Sequence, residues 1–419
     1  MKTDVRLSTR FLTTQNAHQV GMLVTLDGET PVRRAPVNVA LVLDRSGSMS
    51  GMPLDAAKDA AARFAAFLTP ADRLAVVTFD DTVRTIFGPA PAGTPVAAEA
   101  IARVEAGGST NLSGGWLVGV RLVGQGLVEG TNRVVLLTDG QANVGIVEPG
   151  KLLGLARDGA GRRVSTTCIG FGAGFNEDLL EPMARAGGGN YWYVESAEQM
   201  AGIFEGEIEG LVALAAQNVE VEVRLAHPRV AGVSFLQSYP VTPTGAGAWR
   251  VALHDLYAGS PRALGLVFHV EDVRELGKVT LGEVRVEADI ITDAGIEHRT
   301  TVMPVLANLD GEDRVEPAVE QTFLRFQAAR AREEAVRRAD AGDFDGAAAS
   351  LRAAVSALGA APPEAGLEEE VEDLRTEATR LEERRFDATD RKYHQAQAMA
   401  ARDMKAHYAR QVRRPRKES

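Results

Sequence analysis

Val37-Asn38-Val39-Ala40-Leu41-Val42-Leu43-Asp44-Arg45-Ser46-Gly47-Ser48-Met49 is the stretch from which the rest of the chain can be read. A nearly continuous apolar run leads straight into a short loop of carboxylate, hydroxyls and glycine. Such a run fits a strand covered on both faces, as strands are in a parallel sheet. A helical stretch follows at 54–68, with Ala57, Ala61, Phe64 and Leu68 at helical spacing. The polar loop therefore sits at the carboxyl end of a buried strand, where open α/β sheets bind their ligands.

Reading outward, strand-like runs recur at 74–79, 83–87, 133–137, 164–169 and 190–194. Helical sequence lies between them at 95–104, 112–123, 151–157 and 177–186, and closes at 197–215. Strands alternating with helices predict a doubly wound, Rossmann-like α/β domain over 37–210. The flanks differ. Val20, Met22, Val24 and Leu26 alternate with small or polar residues, which is strand period with one face buried. The same period returns after about 217 in Val219, Val221, Val223 and Leu225, and further runs follow at 249–253, 263–270, 279–290 and 300–305. Residues 1–36 and 211–312 are thus read as one β-sandwich into which the α/β domain is inserted, a layout favoured by the closeness of domain termini. Gly28 and Pro31 punctuate the first junction. Beyond Pro317, residues 317–419 read as an α-helical C-terminal region. One helix carries Phe323, Phe326, Ala329 and Ala335, a second spans 345–358, Pro362-Pro363 ends it, and a third begins near Glu364. A helical hairpin or small bundle is expected.

A chain of 419 residues exceeds what one core usually serves. The net charge of −11 argues against nucleic acid as a partner, because phosphate contacts need clustered Lys and Arg. Acidic and basic residues balance from 317 onward, so the deficit lies in the first 316. The single cysteine, Cys168, cannot form an internal disulfide, and its place inside an apolar run suits an inert core thiol. No apolar segment follows the N-terminal Met1-Lys2-Thr3, and no run of about 18 apolar residues occurs. The expectation is a cytoplasmic protein with no membrane association.

The loop after the first buried strand offers Asp44, Ser46 and Ser48, hard oxygen donors that select Mg²⁺, Mn²⁺ or Ca²⁺ over softer metals. One such loop holds too few ligands, so others must contribute. Gly107-Gly108-Ser109-Thr110-Asn111-Leu112 precedes a helix, and Thr138-Asp139-Gly140-Gln141 follows another apolar run. Together the Asp-x-Ser-x-Ser loop, Thr110 and Asp139 resemble the metal-ion-dependent adhesion site of the von Willebrand factor A family. Ile169-Gly170-Phe171-Gly172, Asn176-Glu177-Asp178-Leu179-Leu180 and Gly189-Asn190-Tyr191-Trp192-Tyr193 match its late strands and helix. The resemblance covers about 37–210, in family order. It implies that Ser46, Ser48 and Thr110 contact a divalent ion through hydroxyls. Asp44 and Asp139 would act mostly through bound waters, and a carboxylate from a partner protein would complete the shell. The order of A domain and sandwich is similar to that of the inter-alpha-trypsin-inhibitor heavy-chain group and its bacterial relatives, and Asp255-Leu256-Tyr257-Ala258-Gly259 resembles a turn of that group's sandwich.

The resulting expectation is a metal-dependent protein-binding module, not an enzyme. A second reading is an accessory subunit of an AAA+ ATPase machine of the MoxR or chelatase type. A metal-dependent hydrolase ranks lower, because Asp139, the one evident base, is committed to the metal shell. The chain has no Gly-x-x-x-x-Gly-Lys-Ser/Thr loop and no His-Glu-x-x-His, and its glycine run at 170–174 lacks the third glycine of a dinucleotide loop. Asp80-Asp81 beside Thr82 reads as a solvated hairpin turn.

Overall fold

The computed structural model describes residues 1–11, 17–29, 34–140, 142–172, 174–237, 239–259, 261–271, 277–292, 294–309, 315–360 and 367–402. Pro31, Pro362, Pro363 and Glu364 lie outside the described residues. The chain separates into two compact units. One gathers Met1–Glu29, Asn218–Asp289 and the chain from His298 onward; the other holds Thr30–Gln217 with Ile290–Glu297.

Strands β1 (Lys2–Phe11) and β2 (Ala17–Asp27) open the chain as an antiparallel pair. The α/β domain follows, in the order β3 (Val37–Asp44), α1 (Met52–Phe67), β4 (Arg73–Phe79), β5 (Val83–Pro91), α2 (Pro95–Ala102), α3 (Leu112–Gly124), β6 (Thr131–Thr138), α4 (Pro149–Gly161), β7 (Ser165–Phe171), α5 (Glu177–Ala186), β8 (Gly188–Val194) and α6 (Ala197–Val212). Its sheet runs β5-β4-β3-β6-β7-β8. Neighbours are parallel except β5, which returns antiparallel along β4. β3 and β6 are buried along their whole length, as their apolar runs require. β3 has β4 on one side and β6 on the other, so the chain's direction of travel across the sheet reverses between β3 and β6. That reversal is the topological switch point, and it opens a crevice at the carboxyl ends of those two strands.

Helices α1 and α6 pack together, with Phe64 edge-on to Phe204 at 6.2 Å. A buried ionic cluster fixes α6 to the sheet. Glu207 accepts hydrogen bonds from Arg133 of β6 (3.0 Å), Thr167 of β7 (2.7 Å), and Asn190 and Trp192 of β8 (2.7 and 2.9 Å). Helix α6 ends at Val212, earlier than its sequence suggests, because Leu214 already begins the next strand.

That strand, β9 (Leu214–Leu225), is followed by β10 (Val230–Phe235), β11 (Val241–Gly245), β12 (Ala248–Tyr257), β13 (Arg262–Glu271), β14 (Gly277–Thr292) and β15 (Gly295–Leu309). They form a four-stranded sheet, β1-β2-β13-β10, and a five-stranded one, β11-β12-β9-β14-β15. The two meet in a sandwich, where half-buried Phe235 of one sheet lies against half-buried Trp249 of the other, ring centroids 6.3 Å apart. β2 thus pairs with a strand more than 230 residues away, and the α/β domain is an insertion between the sandwich's second and third strands. Val20, Met22, Val24 and Leu26 are buried, as the alternation demands, but Leu23 is buried too. The outer face of β2 is covered by helix α7 (Pro317–Asp340), whose Phe323 lies over Gly21 and whose Val319 packs on Leu23.

Helices α8 (Phe344–Gly359), α9 (Glu368–Glu382) and α10 (Ala388–Arg402) complete the helical region. Small and aliphatic residues such as Ala335, Ala347, Leu351, Leu374 and Leu381 fill the space between α7, α8 and α9. Asp343 caps α8 by accepting from the Gly346 amide at 2.9 Å. Within this core Arg332 is buried and paired with Glu370 and Glu377. Among the described residues no helix is long and apolar enough to cross a membrane.

Candidate metal centre

β3 ends at Asp44 and β6 at Thr138, on the two sides of the switch point. The chain leaving β3 winds through a short 3₁₀ turn, Gly47–Met49, and enters α1. The chain leaving β6 presents Asp139 and Gly140. A third segment arrives from the start of α3, where Asn111 caps the helix by accepting from the Gly114 amide at 3.0 Å. Thr110 is the residue just before that cap. Gln141 and Ala173 lie outside the described residues.

All five side chains singled out from the sequence come together here. Asp44 is fully buried; its Oδ1 accepts the Ser46 amide at 2.8 Å and its Oδ2 the Thr138 hydroxyl at 2.5 Å. Ser46 Oγ and Ser48 Oγ are 3.2 Å apart, and the Ser48 hydroxyl donates to Asp139 Oδ1 at 2.8 Å. Thr110 enters from the other side. A Cβ on Gly140 would stand 3.1 Å from Thr110 Oγ1 and 3.8 Å from Asp44 Oδ2, so the glycine leaves room where these groups meet.

The electrostatics are unbalanced. Burial pushes the Asp44 carboxyl up to about 6, against the opposing hydrogen bonds from Thr138 and Ser46, and the nearby Asp139 adds to the rise. Burial also raises Asp139, against the bond from Ser48. Two carboxylates whose charge is disfavoured by their surroundings are a fit for a cation. The donors are hydroxyl and carboxylate oxygens throughout. Among the described residues no group of three or more His, Cys, Asp or Glu side chains is placed to hold a metal. A cation here would therefore draw on serine and threonine hydroxyls, the ligation of a hard divalent ion such as Mg²⁺.

Two residues outside the five shape the site. Thr138 has its hydroxyl on Asp44 and accepts the Gly140 amide at 3.1 Å, which links the first loop to the third. Its place in the Thr-Asp-Gly segment was the available signal. Asp80 corrects the expectation of a solvated turn. The turn does join the antiparallel pair β4 and β5, and Asp81 is exposed, but Asp80 is only 2% exposed. It points inward because it follows a strand buried from Leu74 to Phe79 and meets Arg45, 2.6 Å away. An aspartate at the carboxyl end of a buried strand, level with two other polar loops, was the pattern that could have revealed it. Cys168 is buried in β7, and burial pushes its thiol far up, in keeping with an inert core residue.

Residues 39–141 match the family model described as von Willebrand factor type A domain. The uncharacterized protein sll0103 of Synechocystis sp. is 27% identical over 349 residues, which is 80% of this chain and 82% of that protein. The human inter-alpha-trypsin inhibitor heavy chain H3 is 33% identical over 159 residues, 36% of this chain but 18% of its own length. Among solved structures, a von Willebrand factor type A protein from Catenulispora acidiphila aligns with a TM-score of 0.67 at 20% identity, over 89% of both chains. The ArnB paralog VWA2 from Sulfolobus acidocaldarius aligns with a TM-score of 0.59 at 13% identity, over 99% of both. At these identities the two structures share the fold, and they share it across nearly the full length.

Proposed function

We propose that the von Willebrand factor type A domain carried by this chain is a metal-dependent protein-binding module, in which a divalent ion held by Asp44, Ser46, Ser48, Thr110 and Asp139 takes a carboxylate from a partner protein. The observation that carries this reading is the meeting of three hydroxyls and two carboxylates at the switch point of the sheet. The ion would supply one thing, an electrophilic position that favours an anionic oxygen ligand. The protein's own residues do the rest. They hold the oxygens in place and keep the carboxylates few, so that an incoming Asp or Glu gains strongly. Met52, Val144 and Val147 support a protein as the partner. They belong to the loops and helix start beside the site and are 77%, 37% and 47% exposed. Exposed apolar side chains in these segments gain more from burial under a protein surface than from contact with a free small acid. Binding is favoured over hydrolysis because Asp139, the one candidate base, is among the five groups committed to the ion.

Mg²⁺ or Mn²⁺ is expected to bind at one site per chain in a calorimetric titration and to raise the melting temperature by linkage. Asp44→Ala combined with Ser46→Ala should remove both effects and leave the fold intact by circular dichroism. A wild-type chain that shows neither heat nor a melting shift would sink the reading. A partner held in Mg²⁺, released by EDTA and lost with the double variant would meet its second half.

A further inference from the structure

We propose that Asp80, which is none of the five oxygen donors, is the positioning residue of the metal site: it locks the Asp44–Ser48 loop to the Gly107–Thr110 loop, so that Ser46, Ser48 and Thr110 are in place before a cation arrives. The proposal rests on the metal reading above and adds to it what arranges the donors.

Asp80 stands at the end of β4, next to the strand that delivers Asp44. Its carboxylate has three hydrogen-bond donors and one ion-pair partner. Oδ2 takes the Arg45 guanidinium at 2.6 Å and the Gly108 amide at 3.2 Å. Oδ1 takes the Thr82 amide and hydroxyl, both at 2.8 Å. A carboxylate offers about four lone-pair positions, so Asp80 has none left for a metal. Arg45 lies between Asp44 and Ser46, and Gly108 lies two residues before Thr110. One buried side chain thus grips both loops, beside Ser46 on the first and two residues before Thr110 on the second. The main chain reinforces the grip: the Asp80 carbonyl accepts the Asn111 amide at 2.7 Å, Gly47 N donates to Gly108 O at 3.0 Å, and Gly107 N donates to Arg45 O at 2.7 Å. Gly107 is fitted to the carboxylate, since a Cβ there would stand 2.0 Å from Asp80 Oδ2. Groups that orient the donors of a metal site commonly set its affinity by about ten- to a hundredfold.

The test uses the full chain. Asp80→Asn keeps an oxygen for Thr82 and turns the acceptor facing Arg45 and Gly108 into a donor, so it breaks the link between the loops with little change of shape. Mg²⁺ affinity by titration calorimetry, well below the melting temperature, should fall at least tenfold. In EDTA the Gly47 and Gly108 amides should exchange hydrogen faster than in the wild type, and saturating Mg²⁺ should restore much of their protection. Arg45→Ala attacks the same contact from the other side and should weaken binding in the same direction; it serves as well if Asp80→Asn does not fold. Asp72→Asn is the control for general destabilisation. Asp72 is a buried aspartate at the opposite end of β4, holding Arg34, Val37 and Thr69, and its loss should lower stability without moving Mg²⁺ affinity. Folded Asp80→Asn and Arg45→Ala variants with affinities within twofold of wild type would overturn the proposal. So would unchanged exchange at Gly47 and Gly108 in EDTA, a result that reads the lock without any metal and therefore separates its failure from failure of the metal site itself.

Discussion

Asp44 is a carboxyl group that folding makes worse off as an anion. Its pKa rises from an unfolded value near 4 to about 6, chiefly through burial. For an acid raised in the folded state, the native chain binds more protons than the unfolded chain between those values. Stability in EDTA should therefore be fully present below about 4 and fall as pH rises through about 6, by up to about 3 kcal/mol from this group. Asp44→Asn should remove that loss, because the amide can still accept from Ser46 and donate to Thr138. Urea denaturation in EDTA at pH 8 should find the variant more stable than the wild type, and the advantage should vanish near pH 4. Equal stability at pH 8 would show that Asp44 carries no such burden. Mg²⁺ acts on the same imbalance. It needs the carboxylate form, so its affinity should drop as pH falls below about 6, with proton release measurable by titration in buffers of different ionisation enthalpy.

Glu207 shows the opposite sign at the level of an element. Burial would raise its pKa, but Arg133, Asn190, Thr167 and Trp192 together hold it below the usual carboxylate range. The contribution is present above the unfolded pKa near 4.5 and disappears as pH falls through the lower folded value. Glu207→Ala leaves four donors from three strands without the carboxylate they share. It should destabilise the α/β domain by about 3–5 kcal/mol in denaturant titrations, and Glu207→Gln by less. A loss under about 1 kcal/mol for the alanine variant would mean that α6 is held by its apolar face alone. The sequence carried this residue in plain view. Ile203, Phe204, Glu207, Ile208 and Leu211 share the buried face at helical spacing, whereas Glu205 and Glu209 fall outside it. The buried parallel strands were legible because their runs are apolar without interruption, and the three loops because hydroxyl and carboxylate follow each run. β10 and β11 were not legible, since β11 is exposed along its whole length and β10 buries only Val230. The second buried face of β2 was hidden for another reason. Gly21 and Leu23 meet a helix about 300 residues later, and no local period records that. Asp80 failed because a turn motif says nothing about which way its carboxylate points.

At the scale of the whole chain, the inserted domain and the sandwich with its helices each have a core of their own. The inserted domain centres on β3, β4 and β6 with Phe64, Phe79 and Phe204; the other unit centres on Val221, Leu264 and Phe268, and α7 closes its outer sheet face. Cores that share few residues unfold as separate cooperative blocks. Scanning calorimetry of the full chain should resolve two transitions, and Mg²⁺ should move only one of them. Asp44→Ala with Ser46→Ala should cancel that movement and leave the second transition where it was. Ending the chain at Glu316 should act on the other block, because it uncovers Gly21, Leu23, Ala263 and Gly265 on the sheet that α7 covers. The metal-insensitive transition should then fall by many degrees or give way to aggregation, while the Mg²⁺-sensitive one keeps both its position and its shift. A single transition that moves as a whole with Mg²⁺ would mean that the insertion and its host fold as one block. A metal response lost on truncation would mean that the helices take part in holding the ion, which nothing in the arrangement of Asp44, Ser46, Ser48, Thr110 and Asp139 requires.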